Sequence, residues 1–540
     1  MKNSLTRRQS LLLLGTTLAT KACTTPASEA AVRSESPAPN RPDWGRGYEN
    51  QRIADRKDGT FLNPIFSGDR PDPSIIRDGD TYYLTFSSFD AYPGLFIWQS
   101  TDLVNWQPVG PALTHPIGSV WASDLIKHGD RFYIYIPARS KNRKSIYVIY
   151  ANQIDGPWSK PVDLDLPDHI DPAHAVGEDG KRYLFLSNGD LVELSDDGLS
   201  TVGDVEHIYD PWRYPEDWDV ECFCPEGPKI LRKDNWFYML TAVGGTAGPP
   251  TGHMVIAARA RSVKGPWQHA PNNPQVRTTD RSESWWSRGH ATLIEGPAGD
   301  WWMISHGYEN GFWTLGRQCL LEPIRWREDG WFESLGGDLS TPFPKPLPSQ
   351  HQPHGLPLSD DFSTSSLGPQ WVFYDPSPVE HDRIDLDGDG LRMTAKGETP
   401  ADTSPLCVIP GDRAYEVTAR MELDPGSRAG LLLFYNSGLY CGLSYGPEGL
   451  VMHRYGQERS RPNDLDAGLT HLEIKVRNDN HVVTFFTRLP GERWKKFDVQ
   501  MEVSGYHHNT AYDFLSLRPG LMAAGKGHVR FSQFRYKALS

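Results

Sequence analysis

Three acidic residues sit in proline-punctuated contexts that suit acid–base chemistry: Asp72 in Arg70-Pro71-Asp72-Pro73, Asp171 before Pro172, and Glu226 in Cys224-Pro225-Glu226-Gly227-Pro228. Neighbouring prolines fix φ and stiffen the mount of a single acid. Brought around one hollow, such carboxylates raise one another's proton affinity by like-charge repulsion and partial burial, so one is ionised while another keeps its proton near neutrality. Inversion at a glycosidic bond needs that division. An ionised carboxylate activates water and a protonated one donates to the leaving oxygen, about 6.5 to 9.5 Å away. Asp72 suits the base, and the longer Glu226 suits the donor. Each acid alone reads equally well as a turn or capping residue, so the case rests on whether the fold brings them together.

The elements that must do so are visible as a repeat. An apolar strand, a turn of the Asp-Gly kind and an aromatic strand recur in five copies: Asp72 to Leu84, Trp121 to Tyr133, Asp171 to Tyr183, Glu226 to Tyr238 and His290 to Trp302. The period of about 50 to 60 residues is near that of propeller blades. Trp106, Trp158 and Trp267 each follow a turn and close a blade-like segment. Helical periodicity is scarce, while β-branched and aromatic runs between Gly, Pro and Asp clusters dominate. The expected fold is all-β: a five-bladed β-propeller over residues 61–345. Its innermost strands line a central channel, and the repeat places Asp72, Asp171 and Glu226 at corresponding blade entrances, with His290 at the fifth.

Pro342 to Pro348 carries four prolines, which remove backbone donors and favour extended chain. Residues 346–357 therefore read as a linker. Beyond it, alternating runs such as Tyr415 to Leu423 predict an antiparallel β-sandwich over 358–540. The Asp385 to Gly390 stretch superficially matches a calcium loop but has Lys396 where a closing carboxylate belongs, so a hairpin turn is expected. At the other end, Lys2, the pair Arg7-Arg8 and the apolar run from Leu11 make residues 1–30 an export signal of twin-arginine type. The context of Cys23 is similar to a bacterial lipoprotein cleavage box, which leaves a lipid anchor open. Residues 31–60 read as tether and lead-in, and the protein is expected in the periplasm or anchored facing outside the cytoplasm.

The 540 residues carry a net charge of −13 and 11% aromatics, with a mean hydropathy of −0.53. A polytopic membrane protein is excluded, and sequence-independent nucleic-acid binding is disfavoured because it needs a basic surface. Of six cysteines, Cys23 lies in the signal, Cys222 and Cys224 are too close for an easy mutual bridge, and Cys319, Cys407 and Cys441 read as small buried hydrophobes. No CxxC pair or HExxH segment supports zinc. Oligomeric state is not legible.

Seven motifs in order then carry a family resemblance: Asn63 to Phe66 with Arg70 to Ile75, Tyr92-Pro93-Gly94, Ser100 to Trp106, Trp121 to Asp124, Pro225 to Pro228, Gly289-His290-Ala291 and Leu315-Gly316-Arg317. Over residues 61 to about 335 the chain resembles glycoside hydrolase family 43, the β-xylosidase and α-L-arabinofuranosidase group. The resemblance implies an inverting exo-glycosidase releasing terminal pentose, β-D-xylosyl first, from oligosaccharides or polysaccharide side chains. Asp72 would be the general base, Glu226 the general acid, and Asp171 the acid that orients and tunes Glu226. Arg317, His290 and Asp124 would contact substrate, and Tyr92 and Trp121 would form aromatic walls of the sugar pocket. His290 reads equally as a hydrogen-bonded core histidine. No cofactor is required, a structural Ca2+ in the propeller channel being the one candidate. Ser123 and Thr241 to Gly245 depart from the family pattern. From Asp360-Asp361-Phe362-Ser363 onward the second domain resembles the concanavalin A-like sandwich of family β-xylosidases, which can lend a loop to the pocket rim. An α-L-arabinofuranosidase and a non-catalytic sugar-binding propeller are the alternatives.

Overall fold

Five four-stranded antiparallel meanders follow one another along the chain, each starting from a strand that lines a common axis. Their inner strands are Ser74–Asp78, Asp124–His128, Ala173–Val176, Glu226–Lys233 and Trp285–Glu295. The computed structural model describes residues 43–348 and 352–539. The export-signal reading, Cys23, the Glu29 to Pro42 tether and part of the 346–357 linker lie outside them. The first hairpins of blades 1 and 4 are closed by two-residue turns, bracketed by Asp78↔Thr81 and Lys233↔Trp236. The second turn is Asp234-Asn235, with φ of 51° and 60°, the left-handed pair that matches strand twist and that asparagine and aspartate tolerate best.

The ring closes non-covalently. Thr60–Phe61 pairs with Phe343–Pro344, and the Asn63 side chain exchanges two 2.8 Å hydrogen bonds with the Leu321 backbone. Chain segments from both ends of the propeller are thereby stitched together beside blade 5.

The second domain stacks an eight-stranded sheet on a seven-stranded one. Ala414–Leu423 shows the expected alternation, Val417, Ala419 and Met421 being buried while Arg420 and Glu422 are exposed. Ile384–Leu386 and Leu391–Thr394 form a hairpin across the supposed calcium loop, whose Asp387 is paired with Arg530 at 2.7 Å. The outermost strand of the eight-stranded sheet is Ala91–Tyr92, contributed by blade 1 and paired with Phe373 and Tyr374. Propeller and sandwich thus share a sheet, and from Asp43 onward the chain forms one compact unit.

Candidate functional site

The first regular cross-strand pairs of the five blades are Ser74↔Thr85, Asp124↔Tyr135, Ala173↔Phe185, Lys229↔Leu240 and Thr292↔Ile304. Counting two residues back gives Asp72, Ala122, Asp171, Gly227 and His290 as the equivalent blade entrances. The true equivalent of Asp72 in blade 4 is therefore Gly227. Glu226 stands one residue earlier, next to a register shift between Glu226 and Lys229, which a motif alignment cannot register. Asp72, Asp171, Gly227 and His290 all have positive φ, at 55°, 54°, 61° and 47°. Left-handed backbone is uncommon for residues with a Cβ and is held only where the surroundings over-determine it. Here one bend recurs at four of the five entrances and sets side chains from distant parts of the chain around one hollow.

That hollow, about 230 Å³, is lined by Asp72, Asp171, Glu226, His290, Arg317 and Trp121. Six of the eight sequence-predicted site residues therefore meet. The other two do not line it. Tyr92 is buried in the strand given to the sandwich sheet, its hydroxyl donating to Gly118 O at 2.6 Å, and it faces a neighbouring cavity. Asp124 is buried at the Ser74 level, where it accepts hydrogen bonds from Lys229 Nζ at 2.7 Å and the His174 N–H at 2.8 Å. It ties blades together and does not reach the pocket.

The protonation of the acids is set by their partners. Asp72 Oδ1 accepts from Arg317 Nη1 at 2.7 Å and Oδ2 from the Ser87 hydroxyl at 2.6 Å. Burial alone would raise its pKa, but the cations Arg317 and His290 outweigh it and hold the carboxyl well below the usual range. Glu226 has no such cation in hydrogen-bond contact. Burial, opposed by His290 and reinforced by the Asp171 and Asp72 charges, pushes it up to about 8. Asp171 Oδ2 accepts the N–H of Gly227 at 2.9 Å and lies 3.4 Å from His290 Nε2, so it grips the peptide next to Glu226. Desolvation would lower His290, yet Asp72, Asp171 and Glu226 raise it to about 9, and it is an imidazolium at neutral pH.

Two further histidines support this group. His306 Nδ1 accepts the Asp72 N–H at 3.0 Å, and burial lowers its pKa to about 3. His253 is also neutral, held low by burial, and its Nε2 lies 3.3 Å from His290 Nδ1. His253, His290 and His306 form the metal-competent cluster among the described residues. Its donor atoms are imidazole nitrogens and the His290 ring is biased toward the imidazolium, whereas Ca2+ takes six to eight oxygens. The donor set does not fit Ca2+.

Part of the remaining lining comes from residues no sequence motif marked. Phe89, His508, Tyr512 and Phe514 line the cavity, the last three from the sandwich. Phe514 stacks on Phe89 with centroids 5.5 Å apart, and the Arg317 guanidinium lies 5.4 and 5.3 Å from the two rings. A sandwich loop at the rim was expected, but these residues could not be named. Glu221, Cys222 and Cys224 line the side next to Glu226. Contrary to expectation, Cys222 and Cys224 form a disulfide with Cα atoms 5.5 Å apart. That separation lies within the ordinary range. Cys319, Cys407 and Cys441 are free and buried, as expected.

Comparison with known proteins agrees with this geometry. Xylan 1,3-beta-xylosidase from a Vibrio species is 30% identical over 359 residues, 57% of this chain and 64% of that protein. A non-reducing end alpha-L-arabinofuranosidase from Bacteroides ovatus is 32% identical over 338 residues, 58% of this chain and 61% of that one. These alignments therefore span less than two thirds of either relative. A family 43 protein of known structure from Bacillus licheniformis superposes with a TM-score of 0.78 at 27% identity, covering 89% of this chain and 100% of its own. The model for a beta xylosidase C-terminal concanavalin A-like domain matches residues 359–537. The model for glycosyl hydrolases family 43 matches residues 61–332, a stretch that runs from the ring-closing strand through blade 5 and holds all three acids, and the chain therefore belongs to glycosyl hydrolases family 43.

Proposed function

We propose that the protein is an inverting exo-glycosidase that releases a terminal pentose, β-D-xylose first, from oligosaccharides or polysaccharide side chains. The observation that carries this reading is that two acids with opposite surroundings line one cavity: Asp72, paired with the Arg317 guanidinium at 2.7 Å, is held toward its ionised form, and Glu226, desolvated beside the Asp171 and Asp72 charges, is held toward its protonated form. Asp72 takes a proton from water as the water oxygen bonds to the anomeric carbon. Glu226 gives its proton to the glycosidic oxygen as the bond to the leaving group breaks. Arg317 and Ser87 occupy one lone-pair direction on each Asp72 oxygen and fix its orientation, while Asp171 holds the Gly227 peptide and keeps Glu226 protonated by its charge. The His508–Phe514 loop narrows the cavity from the sandwich side, which favours removal of one end sugar at a time. Export to the periplasm, with or without a lipid on Cys23, belongs to the same proposal. Fractionation of cells producing the full chain, with a Cys23→Ser variant, tests it.

Replacing Asp72 by Asn is the direct test of catalysis. Turnover of a nitrophenyl pentoside should fall by about three orders of magnitude or more while sugar binding, followed by calorimetry, persists. Unchanged turnover would remove Asp72 from the mechanism, and a wild-type protein that binds pentosides without cutting them would favour a lectin-like propeller. The Bacteroides ovatus relative favours α-L-arabinofuranosidase as the second reading. Parallel assays on β-D-xyloside and α-L-arabinofuranoside separate the two.

A further inference from the structure

The wall of the cavity next to the acid is one short stretch in which Glu221, Cys222, Cys224 and Glu226 all face the hollow. Depth varies across the cavity: Asp72, Asp171 and Arg317 are each 4% exposed and Glu226 is half-buried, whereas Glu221 is open to solvent. In an exo-acting site the end sugar occupies the closed end, and the leaving portion extends past the acid toward solvent. Glu221, five residues before Glu226 and on the same wall, borders that path.

Its carboxylate is held in place. Oε2 accepts the Ala247 N–H at 3.0 Å, and a Cβ on Gly245 would lie 2.0 Å from that same oxygen, so residue 245 must lack a side chain for the carboxylate to sit there. Among the described residues no donor is paired with Oε1. The Cys222–Cys224 bridge lies between the two acids in the chain. Tyr512, 77% exposed, comes to the same cavity from the sandwich and offers an aromatic face. A fixed carboxylate acceptor and an exposed ring lining one cavity match an uncharged sugar, whose hydroxyls donate and whose C–H face stacks, and the carboxylate disfavours a sugar that carries an acid of its own.

Resting on the glycosidase reading, we propose that Glu221 is a specificity-determining residue for the leaving portion of the substrate: it accepts a hydroxyl hydrogen bond from a neutral leaving sugar and turns away leaving groups that carry a uronic acid. The test uses the full chain and the ratio of kcat/KM for an unbranched pentose disaccharide to kcat/KM for the matching nitrophenyl pentoside. Glu221→Ala should lower that ratio about tenfold or more, mainly through KM of the disaccharide, because the aryl group has no hydroxyl for Glu221 to accept. Glu221→Gln should raise the use of a uronate-substituted oligosaccharide relative to the neutral one. Glu216→Gln, on the same connection but away from the cavity, should leave both ratios at their wild-type values. A ratio within about twofold of wild type in Glu221→Ala, or a loss shared equally by both substrates, overturns the inference. A wild-type protein inert on every pentoside overturns the glycosidase reading instead, so the two failures are distinguishable.

Discussion

Asp72 and Glu226 are both carboxyls in one cavity, and their partners alone separate them. Asp72 has a guanidinium at 2.7 Å and an imidazolium at 3.5 Å. Glu226 has burial and two nearby anions. The sign of the pH dependence follows. The base works when ionised, so activity is lost as pH falls through the depressed pKa of Asp72. The acid works when protonated, so activity is lost as pH rises through about 8. The kcat/KM profile should be bell-shaped, with an alkaline limb near 8 and an acidic limb below the ordinary carboxylate range. Glu226→Gln should abolish the alkaline limb for a substrate with a good leaving group. A profile flat from about pH 4 to 9 would contradict the assignment.

The blades are held to one another at the level of their first cross-strand pairs, immediately below the acids. Asp124 of blade 2 accepts from Lys229 of blade 4 and from the His174 N–H of blade 3, and the Ser74 hydroxyl of blade 1 lies 3.4 Å away. Asp124 and Lys229 are both buried. Removing one partner of a buried pair leaves an uncompensated charge, which costs about 3–5 kcal/mol. Lys229→Met should lower the unfolding free energy by that amount, read as a lower denaturation midpoint with an unchanged slope in denaturant, and adding Asp124→Asn should restore a large part of it. If Lys229→Met instead cost less than about 1 kcal/mol, the pair would be no more than a surface-like contact.

At the scale of the whole molecule, propeller and sandwich are joined by a shared sheet, by the buried ion pair of Arg518 with Asp69 at 2.8 Å, and by half-buried Arg413 on buried Glu309. Glu309 also takes both amino groups of Arg52, at 2.9 and 2.7 Å, from the segment that leads into the propeller. Burial opposes its ionisation, but Arg52, Arg413 and Gln318 lower its pKa from 4.5 to about 2. A depressed carboxylate contributes stability that is present above the unfolded value and lost as pH falls through the folded one. For Glu309 the window runs from 4.5 down to about 2 and is worth roughly 3 kcal/mol. Thermal melts followed from pH 6 to 2 should show one cooperative transition for both domains, and Glu309→Gln should flatten the acid limb. Two separate transitions would show that the junction does not couple them.

Much of this was legible in the amino-acid sequence because the relevant signals are local. Period-2 alternation, turn residues and the five-fold recurrence of strand–turn–strand determine blades and sandwich strands with their neighbours in the chain, and proline-flanked acids mark Asp72, Asp171 and Glu226. Tertiary structure alone decided what depends on distance across the fold. A shifted register moved Glu226 off the position equivalent to Asp72, Tyr92 was drawn into another sheet and Asp124 into a salt bridge between blades. Phe514 and Glu221 reached the pocket from segments without a motif. The protonation of each acid, which the chemistry requires, was likewise set there: charge and desolvation act through space, and the residues that supply them lie as many as 245 positions apart.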